Sequence, residues 1–256
     1  MQKKSGLTRY FIFISFKGTY YHGWQLQPRS LTIQKILDES LSLILGEKVS
    51  TTGAGRTDAG VHALFFCAHF DSTVNDLDIK TDLVFRLNRF LPDDIAITGI
   101  RKVKNDANAR YSAISRTYRY FITRKKDPFR TETSWFIHGP LDIDLMNMVS
   151  GTLTRYDDFT SFSRLHSDNK TNICKVFMAE WELEGDTLVF TIKADRFLRN
   201  MVRAITGTVV DIGRKKISPA EFEKIIEARD RGSAGMSAPA KGLFLSDIEY
   251  PGDIFI

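Results

Sequence analysis

Cysteine is scarce in this chain of 256 residues: there are two, Cys67 and Cys174, each in an apolar stretch. So few cysteines exclude a disulfide-stapled scaffold and fit two buried thiols in a reducing cytoplasm. Long apolar runs are also missing. The basic start MQKKSGLTR leads into YFIFISF, which is too short to cross a bilayer as a helix and has no small-residue cleavage pattern behind it. That segment reads as a strand, and no membrane association is expected. No Gly-Lys-Ser or Gly-Lys-Thr occurs, so there is no phosphate loop of that type. The five histidines form no ligand-spaced pair on a helix, and the zinc-deaminase signature is absent, so no metal site is expected. His62, Cys67 and His69 are close in sequence, but on a strand His62 faces away from the other two. Neither a low-complexity segment nor a repeat of fixed period is found.

What is present is a composition ordinary for a globular protein, 43% hydrophobic and 26% charged. The length suits one large domain or two modest ones. Thirty-six basic and 31 acidic residues leave a net charge of +5, which suits a polyanionic partner without requiring one.

Hydrophobic periodicity orders the chain into strands over 10–16, 48–52, 61–70 and 95–103, with helices over 33–45 and 82–90. Thr32 offers the N-cap and Gly46 the stop of the first helix. A polar stretch at 104–109 divides the chain into an N-terminal domain, 1–105, and a C-terminal domain, 106–256. In the second half, strands are expected over 117–123, 176–184, 187–194 and 243–250. Helices are expected over 142–153, 197–212 and 219–229, the last opened by a capping box at Ser218 and Glu221 with Pro219 in its first turn. Sheet and helix in non-alternating order give an α+β class with mostly antiparallel sheets. Two polar segments, 125–133 and 165–171, are expected to be mobile.

Three stretches could carry chemistry. GAGRTDAGVHA, residues 53–63, packs three glycines, Arg56 and Asp58 between two strands. A rigid turn that aims one carboxylate into a cleft suits a nucleophile or base, but a turn aspartate that only caps backbone amides is the commoner case and the one these residues alone favour. The spacing is wrong for a dinucleotide fingerprint, because position 58 is Asp and a strand follows. ARYSAISRTYRYFI, residues 109–122, interleaves arginine with tyrosine. Such a pattern can stack unpaired bases and hold phosphates, or it can be an amphipathic strand covering the core. FLRNMVRAITGTV, residues 197–209, places Arg199 and Arg203, with Arg196 just before it, on one side of the expected helix. That side is either a phosphate-binding face or a solvated one.

Together these stretches resemble the tRNA pseudouridine synthase A family. GRTDAGVHA at 55–63 resembles its signature. GTYYHGWQLQ from Gly18, RYSAISRTYRY, DFTSFSR at 158–164, FLRNMVRAITG and SAPAKGLFLSDIEYP at 237–251 resemble further blocks in the same order. One departure is Phe16-Lys17, where the family has an aromatic-aspartate pair. The resemblance implies the pseudouridine synthase fold, with a central RNA-binding cleft, and isomerisation of uridines at positions 38–40 of the tRNA anticodon stem-loop. It implies no cofactor and no metal, a homodimer, and tRNA lying across both copies. It assigns Asp58 as the catalytic carboxylate and Arg203 as its partner. Tyr118 becomes the ring that stacks on the uracil, Arg56 the side chain that holds the flipped nucleotide, and Leu243 or Leu245, with Leu243 preferred, an apolar wall. Arg110, Arg116, Arg119, Arg196, Arg199 and Lys241 are the candidates for the RNA-binding surface. The alternative is a non-catalytic RNA-binding or RNA-chaperone protein on the same fold, with Asp58 a turn residue.

Overall fold

A computed structural model describes residues 6–79, 81–164 and 171–256. The chain folds as two compact units: 1–114 with 245–256, and 115–244. Each mixes helices with mostly antiparallel strands, the class expected. Of the two segments expected to be mobile, 165–170 lies outside the described residues. Residues 125–133 contain a 3-10 turn, Pro128–Arg130, capped by the Asp127 side chain.

In the first unit β1 (Thr8–Phe16) pairs antiparallel with β3 (His62–Ser72) on one side and β4 (Ile95–Lys102) on the other. β3 lies next to β9 (Leu243–Glu249), whose residues from Leu245 onward belong to this unit. Consecutive residues point to opposite faces of a strand, and β3 has Phe66, Cys67, Ala68 and Phe70 buried, so both of its faces are covered there. Aromatic rings fill the interior: Phe11 packs edge-on against Tyr250 at 5.1 Å, and Tyr10 lies 5.7 Å from Phe70. α1 (Ile33–Leu45) starts at Thr32, whose hydroxyl accepts from the Lys35 amide, and ends at Gly46 in the left-handed conformation. α2 (Thr81–Phe90) precedes β4. The strand expected over 48–52 shrinks to β2 (Thr52–Gly53), which pairs with β3. The Thr51 amide and hydroxyl are taken instead by the Asp38 carboxylate of α1, at 2.9 and 2.6 Å. A side chain thus replaces the ladder partner there.

In the second unit β5 (Ser115–Thr123), β8 (Thr187–Ala194) and β7 (Val176–Glu184) pair antiparallel in that order, and β6 (Trp135–Phe136) adds in parallel to β5. Trp181 and Phe190 face each other across β7 and β8 with rings stacked at 4.7 Å. α3 (Ile143–Thr152) holds β7 through Asn147, whose amide group both donates to the Trp181 carbonyl and accepts from the Trp181 amide. α4 (Met201–Gly213) is almost wholly buried. α5 (Pro219–Ala228) carries the capping box read from the sequence: Glu221 N–H donates to the Ser218 hydroxyl, and Ser218 N–H donates to the Glu221 carboxylate.

The helix expected from 197 starts four residues later, at Met201. Asn200 is left-handed, at φ 68°, and the Asp195 carboxylate accepts from the Lys175 and Arg196 amides. A local acceptor and a left-handed residue stop the helix from extending backward. Arg196 and Arg199 therefore lie in the connection before α4, and only Arg203 is on the helix.

Candidate active site

In the first unit the strand order brings two loops to one end. β1 and β3 run antiparallel with Phe16 opposite Ala63, so the loop leaving β1 and the loop entering β3 meet there. The register shifts between Ile14 and Phe16, a bulge that re-aims the chain at this point. The Asp58 turn follows from its residues. The Val61 amide donates to the Asp58 carbonyl at 3.2 Å, and Gly60, third of the four, has φ +76°. This is the pattern of a type II turn, which requires a residue tolerant of positive φ at that place. Asp58 is half-buried and Arg56 is exposed.

The loop leaving β1 backs this turn. The Gly60 amide donates to the Tyr21 carbonyl at 3.3 Å, and the Trp24 amide donates to the Thr57 hydroxyl oxygen at 3.0 Å. The Gly18 amide donates to Nδ1 of the buried His62 at 2.9 Å. Gly23, at φ +81°, runs so close to Thr57 that a β-carbon there would sit 2.1 Å from the Thr57 carbonyl oxygen. The Trp24 ring is buried 4.2 Å from Phe66 and lies against Gly53. The Tyr21 hydroxyl donates to the Asp94 carboxylate at 2.6 Å; burial and that neighbouring anion push the phenol well above its ordinary pKa.

In the second unit Tyr118 is half-buried on β5, with the Phe197 ring edge-on at 5.0 Å. Tyr120, two residues on and on the same face, is fully buried and donates to the Pro239 carbonyl at 2.8 Å. Burial raises its pKa, and the Arg203 charge draws it partly back. Arg203 is half-buried; its Nε donates to the Ala238 carbonyl at 2.8 Å while its own carbonyl accepts from the Ala238 amide at 2.9 Å. Helix α4 and the 235–239 loop are thus locked together at this residue. Leu243 is buried at the start of β9.

The basic residues singled out in the sequence are differently engaged. Arg119 forms an ion pair with Glu184 and lies 5.0 Å from the Phe121 ring. Arg116 donates to the Asp195 carbonyl at 2.8 Å. Lys241 is exposed and reaches the Thr131 carbonyl at 2.7 Å. Arg110 is exposed beside the Tyr111 ring, and Arg199 is exposed in the turn before α4. Among the described residues no group of three side chains could hold a metal ion, and no helix is long and apolar enough to cross a membrane. Both cysteines are buried, and desolvation pushes the Cys174 thiol up to about 12.

Sequence comparison identifies relatives of the whole chain. A profile described as tRNA pseudouridine synthase matches residues 156–251. A protein named tRNA pseudouridine synthase A from Bacteroides fragilis is 52% identical over 248 residues, 96% of this chain and 98% of that one. The chain belongs to the tRNA pseudouridine synthase A family. Less similar members also align along most of their length: that of Porphyromonas gingivalis is 47% identical over 98% of this chain and all of its own, and that of Exiguobacterium sibiricum 36% identical over 93% and 95%. These relatives thus match 93 to 98% of the chain.

The sequence reading passed over Thr57, Tyr21, Trp24 and Gly23 as site residues. Their role is to hold the turn, and the only signal for it was the density of glycine and aromatic residues at 18–24.

Proposed function

We propose that this protein converts uridine to pseudouridine in the anticodon stem-loop of tRNA, at positions 38–40, with Asp58 as the catalytic carboxylate. The observation that carries the reading is the near full-length match to proteins named tRNA pseudouridine synthase A. The reaction breaks the bond between the ribose C1′ and uracil N1, turns the base, and joins C1′ to C5. The C5 proton leaves to solvent and N1 gains one, so atoms balance without oxidant, reductant or net hydrolysis. No cofactor and no metal is needed for such a rearrangement. It requires a fixed carboxylate, a dry pocket and a base taken out of its stack.

The half-buried Asp58, on a turn braced by the 18–24 loop, suits the first requirement. In this proposal Arg203 is the cation that keeps the carboxylate ionised and oriented, as an adjacent guanidinium does. Tyr118 stacks on the uracil, Arg56 holds the displaced nucleotide, and Leu243 walls the pocket. Arg110, Arg116, Arg196, Arg199 and Lys241 contribute to the tRNA surface, with Arg119 a weaker contributor because Glu184 already engages it. Recognition at variable positions rests on shape and backbone contacts more than on base readout. The working form is a cytoplasmic homodimer with the tRNA across both copies.

The test uses an unmodified tRNA transcript tritiated at uridine C5, with chelator and no added cofactor. Tritium should be released to water, and pseudouridine should map to the anticodon arm. Asp58→Asn should abolish release while tRNA binding and thermal stability persist. Full release by Asp58→Asn would sink the assignment of the carboxylate. Tight tRNA binding without release from any transcript would mark a non-catalytic RNA-binding protein.

A further inference from the structure

The α1 end of the first unit holds the Asp58 turn by a continuous set of bonds. The Ile33 and Gln34 amides at the start of α1 donate to the Gly23 and Trp24 carbonyls at 3.2 and 3.0 Å. Those amides lack partners within the helix, so a loop that accepts from them is anchored at little cost in other bonds. Trp24 then turns its own amide outward to the Thr57 hydroxyl oxygen at 3.0 Å. One residue further along the chain is Asp58. The same helix grips the other end of the segment: Gln34 Nε2 donates to the Thr51 carbonyl at 2.7 Å, and Asp38 holds the Thr51 amide and hydroxyl. Between Thr51 and Thr57 the chain is pinned further by the Ala54 amide, which donates to the Cys67 carbonyl at 2.8 Å.

Of these bonds the one nearest Asp58 is made by a side chain and not by the backbone. We propose that Thr57 is a positioning residue: its hydroxyl oxygen, fixed by the Trp24 amide, ties the chain immediately before Asp58 to helix α1 and so sets the aim of that carboxylate. Serine would keep this bond, and valine would keep the shape while leaving the Trp24 amide with no acceptor at that place. The inference rests on the reading of Asp58 as the catalytic carboxylate. It differs in naming a residue that touches neither substrate nor reacting atoms.

The experiment compares wild type, Thr57→Val and Thr57→Ser in tritium release, separating turnover from the KM for tRNA, with thermal midpoints measured alongside. Misplacing a catalytic group by a fraction of an ångström to one ångström lowers turnover by about 10- to 100-fold. Thr57→Val should therefore lose about 10- to 100-fold in kcat with KM for tRNA held within about twofold, and Thr57→Ser should recover most of that loss. Wild-type kcat in Thr57→Val overturns the inference alone. So does a loss of kcat in both variants that follows a lowered thermal midpoint, which would make the residue merely structural. A wild-type protein that releases no tritium would overturn the reading of Asp58 beneath it.

Discussion

Replacing Gly23 by alanine tests how tightly the Asp58 turn must be held. Two effects are separable. Gly23 has φ +81°, and alanine in the left-handed region costs about 1 kcal/mol. The added β-carbon would also lie 2.1 Å from the Thr57 carbonyl oxygen and 3.2 Å from the Asp58 carbonyl carbon. Carbon and oxygen in van der Waals contact stand roughly 3.2 Å apart, so backbone must move by about 1 Å, and the atoms that obstruct belong to the peptide leading into Asp58. A displacement of about that size at a catalytic group costs about 100-fold in turnover. With Asp58 as the proposed catalytic carboxylate, Gly23→Ala should therefore lower kcat for tritium release by about 100-fold, with tRNA affinity little changed. Gly46→Ala is the control. Gly46 is also left-handed, at φ +69°, but nothing lies within 4 Å of its added β-carbon. It should lose about 1 kcal/mol of stability in denaturant unfolding and no turnover. Wild-type kcat in Gly23→Ala would refute the argument from the close approach. An equal loss of kcat in both variants would show that backbone strain alone, and not displacement of the turn, is responsible.

Two further expectations concern stability. Asn147→Ala removes both partners of the Trp181 backbone on β7, the outer strand of the order β5, β8, β7, and should cost about 1–3 kcal/mol in urea unfolding. An unchanged midpoint would show that water replaces the side chain without loss. His69 is buried, with Nδ1 accepting from the Ala109 amide; burial and then the Arg9 charge lower its pKa from 6.5 to about 4, against a smaller raising effect of Asp71. As pH falls the unfolded chain takes up this proton first. The stability contribution is complete above about 6.5, is lost between about 6.5 and 4, and amounts to at most about 3 kcal/mol. His69→Leu should flatten that part of the stability–pH curve, and a curve of unchanged slope would refute the assignment.

Those parts of the protein that local physics controls are legible in its amino-acid order. Thr32 and Gly46 delimit α1, and Ser218, Pro219 and Glu221 start α5, because capping groups act within one helical turn of their own position. Period-two and unbroken apolar runs mark β1, β3 and the β7–β8 hairpin. The ordered blocks around GRTDAGVHA identified the family, because they lie along nearly the whole chain. Tertiary structure decided what depends on distant partners. Asp38, thirteen residues away, takes the Thr51 groups and shortens the expected strand to Thr52–Gly53. Asp195 and the left-handed Asn200 delay α4 to Met201, separating Arg196 and Arg199 from the helix that carries Arg203. The chain beyond Leu245 returns to the first unit, although nothing in a linear pattern marks which strand edge will accept it. The support of Asp58 belongs to the same class. Gly23, Trp24 and Thr57 are more than thirty positions apart at their extremes, and only the antiparallel pairing of β1 with β3 brings their loops to one end. Caps and periodicity act over a few residues and are legible in order. A hydrogen bond between loops exists only after the strands have fixed the loops' separation.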